Sequence, residues 1–321
     1  MELGLSRVEA ERFQCKRPSE IRARWCAELP ELHAKGGLGA CALTYLPLLR
    51  EWQVSMSFTS VPPILAQKFY GEGSAFTPEN LLREARRQKA KADAAVPSIC
   101  VLDPDGDLVR RLRSTGVARL DTAWSCYHTE LYRLSQEDFE LGLIGCAVGS
   151  SFAVLVAEEL FACGCKLLIS VTSAGQLVEL RPPPYFVLIE RALRDEGTSY
   201  HYLPPAEFSG VNSALLQAME NAFAGLRVPV ERGAVWTTDA PFRETPSAIA
   251  RMKAKGLLAV EMEAAALYAF AEARGKPVLC FAHVTNQMAT VSGDFEKGEA
   301  DGTVDALALI AAVARAWRPA V

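Results

Sequence analysis

The run Val260-Glu261-Met262-Glu263-Ala264-Ala265-Ala266 holds the side chains best placed to do chemistry. Two carboxylates separated by one Met open a small-residue helix directly after a predicted strand. At least one of them then faces the cleft at the strand end, while the alanines let the helix lie close on its neighbours. A carboxylate in that position accepts hydrogen bonds from two vicinal hydroxyls, the contact by which a protein holds a ribose. An acidic helix N-terminus stabilised by the helix dipole accounts for the same residues with no ligand at all. This run alone does not choose between the two.

Three other segments place polar or small residues where an apolar run gives way to a turn: 145–151 (GCAVGSS), 171–175 (VTSAG) and 237–244 (TTDAPFRE). The elements that position them follow from the hydrophobic pattern. Short apolar runs at 98–102, 141–148, 166–171, 185–190, 228–237, 257–260 and 278–284 read as strands. Amphipathic stretches at 108–114, 150–162, 212–223, 246–255, 262–274 and 303–317 read as helices. A further helix over 80–93 begins after Thr77-Pro78-Glu79, an N-cap, a first-turn Pro and an early acid. Its exposed face carries Arg83, Arg86, Arg87, Lys89 and Lys91, and a solvated face is the first explanation for such a run, with anion binding as the minority one. Alternating strands and helices predict an α/β fold: a single domain with a mixed central sheet flanked by helices on both faces. In such sheets ligands bind beyond the carboxyl ends of strands.

Composition narrows the chemistry. The chain has 321 residues, is 50% hydrophobic and 22% charged, and carries a net charge of −4, so it is a globular protein with no surplus of cations for a nucleic-acid backbone. The longest early apolar stretch, 37–49, contains Thr44 and Pro47 and falls short of the roughly 20 residues that span a bilayer. The first 17 residues lack the basic start and apolar centre of a secretory signal, so a cytoplasmic location is expected. Nine cysteines, with Cys100, Cys146 and Cys280 inside apolar runs, are expected to be reduced and structural. Four histidines show no metal-ligand spacing, and no metal or cofactor is expected.

Residues 1–55 follow neither periodicity and read as an N-terminal extension, with 56–96 as an arm carrying the basic helix and 97–321 as the catalytic domain. Either Met56 is the natural start or 1–55 is a small helical arm. Mass spectrometry of the native N-terminus separates these, and a tryptic peptide from 20–50 would exclude the first.

From about Pro97 onward the chain resembles the nucleoside phosphorylase and nucleosidase superfamily, which contains uridine phosphorylase, hexameric purine nucleoside phosphorylase and methylthioadenosine nucleosidase. The resemblance rests on landmarks in the family's order: Leu102-Asp103-Pro104-Asp105, Gly149 with Glu158-Glu159-Leu160, and Val171-Thr172-Ser173-Ala174-Gly175. Asp195-Glu196-Gly197-Thr198-Ser199-Tyr200-His201, Thr238-Asp239-Ala240 and the Glu261-Met262-Glu263 run complete it. The resemblance implies cleavage of a nucleoside N-glycosidic bond. Ribose would lie over Met262 with its hydroxyls on Glu263, and His201 would reach the 5′ position. Phe242 would stack on the base and Arg243 would make a polar contact, unless Phe242 is core and Arg243 only pairs with Glu244. Ser173 and Gly149 fall on the phosphate or water side. Family relatives form rings, so a homo-oligomer is expected.

Two departures qualify this. Purine-cleaving relatives place an Asp where this chain has Asn286, and Asn donates a hydrogen bond but delivers no proton, which favours a 6-oxopurine or a pyrimidine read with help from Gln287. Asn286 as a cap on the strand-end turn is the alternative. The family's phosphate-binding Gly and Arg positions fall on Leu102, Gly106 and Ser170, so the charged fork that grips phosphate is missing. Hydrolysis is therefore preferred over phosphorolysis, with inorganic phosphate a co-substrate only if Arg110, Arg111 or the basic helix supplies a displaced grip or Ser173 with nearby backbone N–H groups holds the anion. A nucleoside-binding sensor or assembly protein that has lost catalysis is the alternative function. A dinucleotide-dependent oxidoreductase fits the alternation, but 145–151 lacks a G-x-G-x-x-G turn.

Overall fold

The computed structural model describes residues 61–66, 68–288 and 293–317. The expected extension at 1–55 lies outside them. Ten strands form one mixed sheet, as the alternation predicts, but the sheet is not open throughout. We number the strands β1 (Ile99–Asp103), β2 (Arg119–Leu120), β3 (Tyr132–Ser135), β4 (Glu140–Gly145), β5 (Leu167–Gln176), β6 (Tyr185–Asp195), β7 (Phe208–Gly210), β8 (Val230–Thr238), β9 (Ala259–Glu261) and β10 (Val278–Asn286). Nine of them run in the order β10-β6-β8-β9-β5-β1-β4-β3-β2, with β7 paired to β6 off this path, and β10 also pairs with β5, so β5, β10, β6, β8 and β9 close into a ring while β1 to β4 extend from it as a wing.

The closure comes from β5, which is long enough to change neighbours. Along one edge its first half pairs in parallel with β1, ending at Leu102 opposite Ser170. The same edge then pairs antiparallel with β9, starting at Gly175 opposite Val260. The sequence reading ended this strand at Val171 and made 172–175 a turn. The structure continues it through Gln176, because β10 supplies hydrogen-bond partners along the other edge as far as Gly175. Strands β2, β3 and β7 are short and lacked a readable period.

Helices are α1 (Pro78–Lys89), α2 (Asp107–Ser114), α3 (Ser150–Ala162), α4 (Ser213–Ala218), α5 (Pro246–Ala254), α6 (Ala264–Arg274) and α7 (Thr303–Ala316). Helix α1 stops four residues short of its predicted end, because Ala90 turns into the left-handed region at φ 51° and caps it. Helices α3 and α6 bury Val154, Val156, Leu160, Leu267 and Phe270 with Cys100, Leu102 and Leu168 of the strands. On the opposite side α2 and α7 bury Leu108, Leu112, Leu309 and Val313 with Val101, Ile169 and Phe281. Successive strand residues thus serve opposite layers, and each fully buried large side chain contributes about 1.5–3 kcal/mol. Residues 264–270 of α6 are all buried, which is why this helix is alanine-rich and lacks a polar stripe there.

Among the described residues Cys100, Cys126, Cys165 and Cys280 are free, buried thiols. Cys146 departs from its expected place inside a strand. It lies beyond β4, exposed, with φ 63°.

Candidate active site

The site is built where β5 changes neighbours. Between the last β1 pair and the first β9 pair, residues 171–174 have no strand on that edge, so a crevice opens where strand ends converge. Helix α6 starts beside it, and the loop from β4 into α3 crosses above.

Glu263 sits at this junction and is 1% exposed. Its Oε1 accepts the Gly149 N–H at 2.7 Å and its Oε2 accepts the Thr172 hydroxyl at 2.9 Å. A carboxylate has about four acceptor positions, so two are taken by the protein and two are left for donors such as vicinal hydroxyls. Gly149 has φ 89°, a conformation that a side chain disfavours, and this turn is what aims its N–H at Glu263. Ser150 donates to the Met262 carbonyl at 2.8 Å, tying the same loop to the same junction.

Glu261 turns inward instead. One oxygen accepts the Thr237 hydroxyl, and the other accepts the N–H groups of Glu263 and Ala264, both at 2.7 Å. It caps α6 from the preceding strand, satisfying orphan donors of the first turn. The capping reading of the acidic run therefore holds for Glu261, while Glu263 is turned toward the crevice. Burial pushes both carboxyls above the usual range, with each held partly back by its hydrogen-bond donors.

Ser173 alternates to the other face of β5 and bonds the buried Thr285 of β10 at 2.9 Å. Next to it, a cavity of about 20 Å³ is lined by Asp103, Asp105, Asp107, Ser173, His283 and Lys297, among others. Lys297 donates to Asp107 at 2.5 Å and to Asp105 at 3.5 Å. Asp103 is buried and accepts the Val109 N–H, and desolvation raises its pKa to about 7. His283 stacks on Phe186, its Nε2 has no hydrogen-bond partner, and burial lowers its pKa to about 4. Asp105 also acts on Glu263, raising it, so the acidic end of β1 and the Glu263 carboxyl belong to one electrostatic neighbourhood.

Asn286 is 8% exposed. Its carbonyl oxygen accepts the Met288 N–H at 2.9 Å and its amide donates to Thr285 at 3.2 Å, so it does cap the strand-end turn. Gln287 is exposed, and its backbone N–H bonds the Asp294 carboxylate at 2.9 Å. Asn286 lies opposite Gly175 in the β10–β5 pairing, which joins it to the same crevice. His201 is exposed in a short 3-10 turn. The neighbouring loop is organised by buried Arg194, which stacks on Tyr200 and donates to Ser199, Leu203 and Pro204. Phe242 is 100% exposed in the turn after β8, so it is not core. Arg243 is exposed in the same turn, and burial lifts the nearby Glu244 carboxyl to about 7.

Four of the arginines offered as alternative phosphate grips are engaged elsewhere, while Arg111 is exposed on α2. Arg110 pairs with Asp107 at 2.5 Å, Arg83 and Arg87 pair with Glu84, and Arg86 pairs with Asp93. Sequence reasoning singled out the segments holding Thr172, Thr237 and Asp105 without giving these residues a role, and missed Lys297. Asp105 was legible as an acid at a strand end, but Lys297 lies in an irregular segment with no local signal. Among the described residues no group of three His, Cys, Asp or Glu is arranged to hold a metal ion, and no helix is long and apolar enough to cross a membrane.

The sequence profile of the phosphorylase superfamily matches residues 99–316. A purine nucleoside phosphorylase of DeoD type from Bacillus velezensis is 36% identical over 92 residues, which is 29% of this chain and 37% of that one. A second, from Colwellia psychrerythraea, is 27% identical over 152 residues, 47% of this chain and 65% of that one. The chain thus spans less than two-thirds of the length of either curated relative. Uridine phosphorylase from Vibrio fischeri, in a crystal structure with 6-hydroxy-1-naphthoic acid, shares the fold with a TM-score of 0.58 at 22% identity, covering 68% of this chain and 90% of that one. A second structure of the Vibrio fischeri enzyme superposes with a TM-score of 0.57 at 23% identity, covering 68% and 91%.

Proposed function

The chain belongs to the phosphorylase superfamily, and from that premise we propose that it cleaves the N-glycosidic bond of a nucleoside, with water preferred over phosphate as the acceptor. The observation that carries this reading is the Glu263 carboxyl, held by Gly149 and Thr172 with two acceptor positions unspent. Ribose hydroxyls on those positions fix the sugar beside Met262. As the bond between C1′ and the base nitrogen breaks, its electron pair leaves with the base and positive charge develops on the sugar, which a nearby carboxylate stabilises. Water then adds to C1′ and releases a proton to solvent, while the departing base takes up one.

Water is preferred because the positions by which relatives grip phosphate fall on Leu102, Gly106 and Ser170, and the two cations at the end of β1, Lys297 and Arg110, are already spent on Asp105 and Asp107. Asn286 retains an amide N–H for a base oxygen or nitrogen, consistent with a 6-oxopurine or pyrimidine, and Gln287 stands next to it. His201 near the 5′ position, and Phe242 and Arg243 at the base, belong to the same proposal, as do a homo-oligomeric state and a cytoplasmic location. The exposure of Phe242 fits a role met only when ligand or a second subunit covers it.

A panel of inosine, guanosine and uridine, assayed with and without phosphate, tests the reading. Free ribose formed in phosphate-free buffer is the expected product. Ribose 1-phosphate formed only on adding phosphate would overturn the choice of water. The second reading, binding without turnover, is favoured by Asn286, whose amide can hold a base but deliver no proton, and by the missing phosphate anchors. Calorimetric binding with no product after long incubation would establish it.

A further inference from the structure

Successive residues of a strand face opposite sides of its sheet, yet the side chains of Thr285 and Asn286 at the end of β10 bond one another. A bulge is the cause. Strand β10 pairs with β5 through Val284 opposite Ala174 and resumes with Asn286 opposite Gly175, so Thr285 is an extra residue between them. A bulge re-aims a side chain in this way, and here it turns Thr285 onto Ser173 of β5. Thr285 has no exposure to water, and among the described residues its hydroxyl has two partners, the Asn286 amide at 3.2 Å and the Ser173 hydroxyl at 2.9 Å.

A pair of hydroxyls has no direction of its own, since either oxygen can donate. The surrounding groups impose one. The Met288 backbone N–H only donates, so the end of the Asn286 side chain that it meets at 2.9 Å is the carbonyl oxygen. The end facing Thr285 is then the amide nitrogen, which also only donates. The buried Thr285 hydrogen is left with one acceptor, Ser173, and a buried hydroxyl that donates to nothing is costly. Ser173 therefore accepts from Thr285. Its own hydrogen is left for the half-buried side, where Ser173 lines a cavity of about 20 Å³, room for one water, together with Asp103, His283 and Lys297.

We propose that Thr285 is a positioning residue: it passes the orientation of the Asn286 amide to Ser173, so that Ser173 meets the oxygen attacking C1′ as a hydrogen donor. This rests on the nucleoside-cleaving reading given above. A water that accepts from Ser173 through one lone pair keeps the other for C1′, and the base side and the acceptor side of the crevice are set as one unit. The chain of hydrogen bonds carries no proton toward the base, because the amide nitrogen of Asn286 accepts none. Asn286 thus has two tasks, one N–H for the base and one that fixes the direction of the chain.

Neutron diffraction from a deuterium-exchanged crystal reads that direction without turnover. The Thr285 deuterium is expected to point at Ser173, and a Ser173 deuterium pointing at Thr285 would overturn the proposal even if nucleosides are cleaved. Steady-state kinetics on inosine, guanosine and uridine read the role. Thr285→Val keeps the shape and should lower kcat at least about tenfold with KM changed less than about twofold, and Thr285→Ser should recover most of the loss. Ser173→Ala with Thr285→Val should cost no more than Ser173→Ala alone, since both remove the same donor. Additive losses, or a loss confined to KM, would overturn the positioning role while the cleavage reading stands. An unmodified protein that cleaves none of the three nucleosides would overturn the cleavage reading itself, and the positioning role with it.

Discussion

The Thr172 hydroxyl donates to the Glu263 carboxylate at 2.9 Å across 91 residues of sequence. This contact joins the stretch of β5 that has lost one neighbour to the second residue after β9. It fixes one oxygen of Glu263 while Gly149 fixes the other, so the carboxylate is oriented before any ligand arrives.

Glu263→Gln tests that orientation. The carboxamide oxygen still accepts from one of the two donors, but the amide nitrogen cannot accept from the other or from a second ribose hydroxyl. We expect kcat/KM for nucleoside cleavage to fall by about 10²–10³, with the thermal midpoint reduced far less than for a core truncation. Steady-state kinetics beside a melting curve check it, and unchanged kinetics would remove Glu263 from the reaction.

Asp103→Asn tests the acidic end of β1. The folded Asp103 carboxyl titrates near 7 against an ordinary value of 3.8. The folded state therefore holds a proton that the unfolded state has lost between pH 4 and 7, and wild-type stability falls as pH rises through that window, then levels off. The Asn variant lacks this fall. Its advantage over wild type should be small near pH 4 and reach about 4 kcal/mol by pH 8. Urea unfolding at four pH values measures the difference, and a constant offset would count against the argument.

Gly175→Ala tests how tightly the crevice floor is packed. A Cβ there would stand 2.5 Å from the Met288 sulfur and 3.3 Å from a Val260 methyl. Overpacking of this kind costs about 1–3 kcal/mol, and pairing it with Met288→Ala should recover part of the loss. A double-mutant cycle by chemical denaturation reads the coupling.

Tyr268→Phe tests the buried link between α6 and the ring. The Tyr268 hydroxyl donates to the Ile189 carbonyl at 2.5 Å and accepts the Cys280 N–H at 3.1 Å, with no exposure to water. Removing it strands both backbone groups, at a cost of about 1–3 kcal/mol. A loss below a few tenths of a kcal/mol would mean that the link carries little of the stability.

Much of this was legible in the residues. Apolar runs of strand length alternating with amphipathic stretches gave the mixed sheet and its flanking helices, because burial of a strand or helix face leaves a period in the local sequence. The Glu261-Met262-Glu263 run was legible as a strand-to-helix turn with an inward acid. What the run could not say is that Glu261 caps α6 while Glu263 faces the crevice. That division depends on Thr237 of β8, Thr172 of β5 and the turn at Gly149.

The sequence by itself determined the element types, the α/β class and the strand-end position of the acidic run, since each is set by neighbours a few residues apart. Only the tertiary structure decided that β5 passes from β1 to β9 and that β10 closes the ring. It likewise brought Lys297 onto Asp105 and Asp107 and left Phe242 in solvent. These follow from register and pairing between segments far apart in the chain, where local pattern carries no information about which edge or charge will be met.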